Sequence, residues 1–343
     1  MLYLVQEGLP AVVLEDLVFA CLVMVNLGPC ITPGNADAGN DSSQIVFVGT
    51  LVDVLKAGPM QSKMHAAVVL SQIVLEGSSA IDAIVNSPDF LHHCTMLVCS
   101  SCDEAKSEAA LLVNNLAALA DEDVQCRLAG HTALVGALKS IVQYGGQVQQ
   151  CRSAGAFMHL SKNSRPRAHL KSCCANEALE KTIRARIEDQ QPTNEQRATV
   201  ALASMAYINL SSGNPELLPQ FPNAKNRLFL VQLLVELLTS SVQQHAKYGI
   251  NWRLKDLLWS LRVLAGNSCY YNVLVKTGIV DILRMLQDSS PTSKYHDETP
   301  GILKGRVREH EQYIPKSAKC LYYVWEAERA LAANSSTRHR RKN

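Results

Sequence analysis

Residues 109–119 read AALLVNNLAAL, and this stretch decides the fold. Within it Ala110 is small, Val113 is a larger apolar residue, Asn115 fills a polar slot and Leu116 closes the pattern. The same order recurs at Cys21–Leu27, Ala67–Ile73, Ala154–Leu160, Ser204–Leu210, Leu258–Leu264 and Ala318–Val324. The slot holds Asn26, Gln72, Asn115, His159, Asn209, Val263 and Tyr323, at intervals of 46, 43, 44, 50, 54 and 60 residues. A helical signature returning at that period predicts stacked helical repeats, each unable to bury its apolar face alone.

Working outward from the signature, apolar helical stretches precede it and several start just after a glycine: Gly8, Gly49, Gly130 and Gly278. A glycine there suits a sharp bend between helices, because it accepts positive φ and close backbone approach. Polar turns at Gly58-Pro59 and Gly145-Gly146 separate these helices from the next. One unit therefore reads as short helix, glycine bend, helix, turn, long helix. Charged substitutions at Leu70, Val113 or Leu261 are expected to break the stack.

This unit resembles the armadillo repeat family, which shares the period of about forty-odd residues, the glycine bend and an Ala-x-x-Leu-x-Asn-Leu ending. The clearest matches are AALLVNNLAAL, ALVGALKSIV at 133–142 and VLVKTGIVDILRML at 273–286, and the resemblance extends from about Leu4 to Leu331. It implies an all-α, right-handed α-solenoid of about seven repeats over residues 1–333, followed by a disordered basic tail at 334–343. Polar, glycine- or proline-rich stretches at 28–43, 211–226 and 288–301 read as surface insertions.

The resemblance also implies a use for the polar slot. In armadillo proteins that bind extended peptides, the matching asparagines line a concave groove and hydrogen-bond the peptide main chain. An amide carries donor and acceptor together, so it can grip a peptide unit whatever its side chain. By that carry-over Asn26, Asn115 and Asn209 are groove candidates, with Gln72 and His159 beside them and Trp259 as an aromatic neighbour. The competing role is that these residues tie one repeat to the next. Import adaptors of this family pair each groove Asn with a Trp four residues earlier; here those positions hold Leu22, Val68, Leu111, Gly155 and Met205. Trp259 does stand four before a slot, but the slot is Val263. No Trp–Asn pair is complete, which argues against a basic import signal held by cation–π contact.

Composition narrows the alternatives. Of 343 residues, 47 % are hydrophobic and only 6 % aromatic, enough for a long core packed from Leu, Ala and Val. With 33 basic and 31 acidic residues the net charge is +2, so no global charge points to nucleic acid or a membrane surface. Glu15 and Asp16 interrupt the apolar segment Leu9–Leu27, which reads as a buried helix rather than a leader or a span. Leu2–Gly8 resembles the end of an earlier helix, as in a fragment of a longer protein. The eleven cysteines are scattered, odd in number and partly inside apolar helices, the usage of reduced thiols in a cytoplasmic or nuclear protein.

Three local clusters were weighed. His92, His93, Cys94, Cys99 and Cys102 contain one CxxC with no second at finger spacing, so thiols on a helix face are favoured over zinc. Arg165, Arg167 and Lys171 begin a basic segment reaching Arg186, a possible anion patch diluted by Glu177, Glu180, Glu188 and Asp189. The terminal Arg338–Lys342 reads RHRRK, either a localisation signal or a plain tail. No nucleophile elbow, zinc-protease, phosphate-loop or dinucleotide motif is present. The expectation is a non-enzymatic scaffold or adaptor without cofactor or metal, binding a protein or extended peptide. No small molecule, membrane or nucleic acid is implied. The alternatives are a regulatory domain of a longer protein, or an anion or nucleic-acid binder through 162–186.

Overall fold

In the computed structural model the described residues are 40–76, 78–187, 191–212, 224–243, 245–265 and part of 267–282. Asn26, the tail and the insertion expected at 288–301 lie outside them. The chain divides into two compact units, Met1–Arg186 and Ile187–Asn343.

The first unit contains ten described helices. They are α1 (Asn40–Ala57), α2 (Met60–Glu76), α3 (Ser78–Asn86), α4 (Phe90–Val98), α5 (Asp103–Leu119), α6 (Glu122–Gly130), α7 (Thr132–Tyr144), α8 (Gln147–Leu160), α9 (Ser164–Ser172) and α10 (Ala175–Ile187). After α1 and α2 the lengths cycle from short to long, as α3, α4, α5 and again as α6, α7, α8. Equivalent helices then pack in rows. The long helices form α2–α5–α8, the middle ones α1–α4–α7, and α6 lies on α9.

The side-chain hydrogen bonds between repeats fix the register. Asn115 meets Ser71 across 44 residues, Gln149 reaches the Asp103 carbonyl across 46, and Arg152 reaches Ser107 and Glu108 across 45 and 44. The nearly constant offset along α5 and α8 means that those two helices run parallel, and the 44-residue tie from Asn115 sets α2 beside α5 in the same register. The other rows follow the same rule: Arg127 donates to the Val85 carbonyl at 2.7 Å, and Thr182 to the Val142 carbonyl at 3.0 Å. Each residue is thus tied to its counterpart one repeat away, which is the linear stacking the sequence period requires.

Burial explains why the signature is written as it is. Ala109, Ala110, Leu112, Val113, Leu116 and Ala117 of α5 are fully buried. Their small members let α2 and α8 approach, and the larger ones fill the space between, at about 25 cal/mol per Å² of apolar surface removed from water. Caps define the ends. Asp121 accepts from the Val124 amide at 2.9 Å to start α6, and His131 Nδ1 accepts from the Leu134 amide at 3.2 Å to start α7.

Of the expected glycine bends among the described residues, Gly278 takes a positive φ of 73° and Gly130 does not. Gly130 does end α6, but the turn into α4 is made by Asp89 at φ 57° and the turn into α10 by Cys174 at φ 52°. Asp tolerates this left-handed geometry better than most residues; Cys has no such excuse. Gly49 makes no bend at all and lies within α1. That helix begins at Asn40, so residues 40–43 belong to it rather than to the insertion expected at 28–43.

The second unit contains α11 (Asn194–Ser211), α12 (Ala224–Val242) and α13 (Leu254–Ala265), with α13 packed on both others. Ser211 ends α11 and residues 224–226 begin α12, narrowing the insertion expected at 211–226. A capping box opens α11: the Thr193 amide donates to Gln196 Oε1 at 2.7 Å and the Gln196 amide returns to Thr193 Oγ1 at 3.3 Å. Between α12 and α13 Lys247 and Ile250 exchange backbone hydrogen bonds of 3.0 and 3.1 Å around Tyr248 and Gly249, both at positive φ. Glu236 holds this turn, accepting from the Tyr248 hydroxyl at 2.9 Å and pairing with Lys247 at 2.6 Å. Burial alone would raise the Glu236 carboxyl, but those two hydrogen bonds outweigh it and hold it below the usual range.

Candidate functional site: the slot row of the first unit

Because α2, α5 and α8 are parallel and aligned, the slot residues Gln72, Asn115 and His159 come side by side. All three are half-buried, each facing partly to solvent. Gln72 makes no hydrogen bond among the described residues. Asn115 donates from Nδ2 to Ser71 Oγ at 2.8 Å, while its carbonyl oxygen takes no partner among the described residues. Asn115 therefore ties α5 to α2 through its amide N–H, which is the competing role that the sequence leaves open for it. His159 Nδ1 lies 3.1 Å from Lys162 Nζ. An ammonium can only donate, so the imidazole nitrogen facing it accepts.

The neighbours of this row repeat as well. Four residues before the slots stand Val68 and Leu111, half-buried, and Gly155, which is buried. A Cβ at Gly155 would run into the Asn114 amide, so the glycine is what lets α8 seat against that side chain. One turn after the slots, Leu75 and Leu119 are 55 % and 43 % exposed. Glu108 and Arg152 pair at 2.8 Å between α5 and α8 on the N-terminal side of the row.

The remaining candidates sit elsewhere. Asn209 is 2 % exposed within α11, whose residues 198–211 are all buried, so its side chain presents no surface to a guest. That departs from the groove role carried over for it. Trp259 on α13 is half-buried with the Arg262 guanidinium 5.3 Å over its ring, so one face is already covered. Of the basic segment, Arg165 pairs with Asp123 at 2.6 Å and Arg167 donates to the Lys162 carbonyl at 3.0 Å. Burial pushes the Arg167 guanidinium below its ordinary value, and burial and then Arg167 do the same to the Lys171 ammonium. Lys171 is exposed.

Among the described residues, no three His, Cys, Asp or Glu side chains converge on a point that could hold a metal ion. Cys94 is buried and its thiol is pushed up to about 12 by burial, while Cys99 is exposed at the end of α4. His92 and His93 meet edge-on with ring centroids 5.4 Å apart, and burial followed by His92 holds His93 below its ordinary value. No described helix is long and apolar enough to cross a membrane.

No protein-family model matches the chain, and no curated protein matches it in sequence. Solved structures do. The chain is similar to a designed armadillo repeat protein in complex with peptide (KR)4, at 18 % identity and a TM-score of 0.50, over 82 % of this chain and 98 % of that one. The fold is an all-α solenoid of the armadillo type. An engineered protein is similar at 18 % identity and a TM-score of 0.52, over 94 % of this chain and 71 % of that one. Against the Trp–Asn pairs sought in the sequence, the armadillo row of this chain carries aliphatic residues before its amides.

Proposed function

We propose that the first unit is a peptide-binding scaffold without catalytic activity, whose guest lies extended across α2, α5 and α8. The observation that carries this reading is the partly open row Gln72, Asn115 and His159, placed side by side by parallel helices. Gln72 offers a complete amide and Asn115 an acceptor, so a peptide main chain can be held at successive units without regard to its side chains. The surface is built on helices packed on both sides, so binding would order little of the protein itself. The similar designed armadillo repeat protein in complex with a peptide supports the same use of this fold. The partner is then a protein segment or extended peptide, met in the cytoplasm or nucleus. Asn209 and Trp259 are left out of the proposed contact surface on the grounds of burial and the Arg262 contact.

The test is a random peptide library displayed on phage and panned against the wild-type protein. A synthetic peptide of the selected consensus should lose about tenfold in affinity to Gln72→Ala plus Asn115→Ala, the loss of one or two net hydrogen bonds. The melting temperature should fall by no more than about 4 °C, since the fold loses only the Asn115–Ser71 tie. Equal affinity for wild type and double variant would remove the slot row from binding.

A further inference from the structure

The flanks of the amide row say what kind of peptide it accepts. On α2 the order along one face is Val68, Gln72, Leu75; on α5 it is Leu111, Asn115, Leu119. Spacings of four and then three or four residues keep each trio on one helix face. Each of two adjacent repeats therefore presents a polar amide with an aliphatic side chain on either side. Leu75 and Leu119 are among the most exposed large apolar residues described.

Charge points the same way. Between Val68 and Leu75 on α2 there is no carboxylate, Glu76 standing one residue beyond at the end of the helix, and along α5 none follows Glu108. Glu108 itself is held by Arg152 at 2.8 Å. At the α8 end the row closes with His159 beside Lys162, 3.1 Å apart. A lysine or arginine side chain laid along Val68, Leu111 or the amides would lose water without an aromatic face to receive it, and the one carboxylate of α2 is Glu76, its last residue. An aliphatic side chain would instead cover Val68, Leu111, Leu75 or Leu119.

Resting on the groove reading above, we infer that the guest is an extended segment with uncharged aliphatic side chains at alternate positions, and not a basic peptide. An extended chain turns alternate side chains to the same side, which matches amide contacts to its main chain and aliphatic contacts to every second residue. Selectivity is set by the apolar trios, while the amides supply affinity common to any sequence.

Three end-capped ten-residue peptides test this by fluorescence anisotropy, with serine at even positions and leucine, lysine or aspartate at odd ones. Wild-type protein should bind the leucine peptide about tenfold more tightly than the lysine peptide. Val68→Glu plus Leu111→Glu should reverse that order. Should that variant not fold, Leu75→Ser plus Leu119→Ser changes exposed positions only and should weaken the leucine peptide while leaving the lysine peptide unaffected. Equal or stronger binding of the lysine peptide by wild type would overturn the selectivity and leave the groove standing. If none of the three peptides binds, the groove reading falls and this inference falls with it.

Discussion

Helices α5 and α11 carry nearly the same words, ALLVNNL and SMAYINL, and meet opposite fates. In α5 the slot residue Asn115 is half-buried, with its side-chain carbonyl oxygen unpartnered among the described residues. In α11 Asn209 is 2 % exposed and sits in an unbroken buried run from 198 to 211. The shared pattern is thus a rule for packing a long helix between neighbours. Whether the slot also faces a guest depends on what covers that helix, which the pattern does not contain.

The comparison can be broken at its common element first. Val113 is fully buried at the level where α5 meets α2 and α8, so Val113→Asp would place a carboxylate where nothing pairs it. A loss of roughly 4 kcal/mol is expected, seen as a collapse of the first unit's thermal transition by circular dichroism. It can then be sharpened at the slots themselves. Asn209→Ala should cost about 2 kcal/mol in chemical denaturation, because it strips polar contacts from a buried site, whereas Asn115→Ala should cost about 1 kcal/mol or less. Equal costs would mean that the two asparagines serve the same purpose. The smallest effect lies in the bends that precede each helix in sequence. Cys174→Gly should gain about 1 kcal/mol by relieving a left-handed backbone, and Asp89→Gly less, since aspartate already tolerates that region. A destabilised Cys174→Gly would show that the thiol side chain matters more than its backbone angle.

The repeat phase was legible because it depends on local spacing. Ala110, Val113 and Leu116 must lie three apart to bury one stripe, and that requirement is written in the chain at α2, α5, α8, α11 and α13. The bends were only half legible. Gly278 takes the positive φ expected of it and Gly130 ends α6 without one, while Asp89 and Cys174 turn left-handed with no glycine to announce it, and Gly49 is absorbed into α1. Packing there imposes the backbone angle against local preference. Of the site, Gln72, Asn115 and His159 were named in the sequence and come together on three aligned helices. The aliphatic flanks went unremarked because Leu75 and Leu119 look like ordinary core residues until their exposure is known. Asn209 could not be distinguished from Asn115 by any residue near it. Its burial is decided by parts of the chain far outside the seven-residue window.

The cross-repeat hydrogen bonds of the first unit all span about one repeat, 34 to 46 residues for those described, and this has an evolutionary consequence. When a side chain answers only to its counterpart one turn of the stack away, each adjoining pair can be rewritten together without consulting the rest. Arg152 with Glu108 and Asn163 with Gln125 are two such side-chain pairs, each replaceable if its mate changes in step. Drift of that kind erases recognisable wording while sparing the architecture.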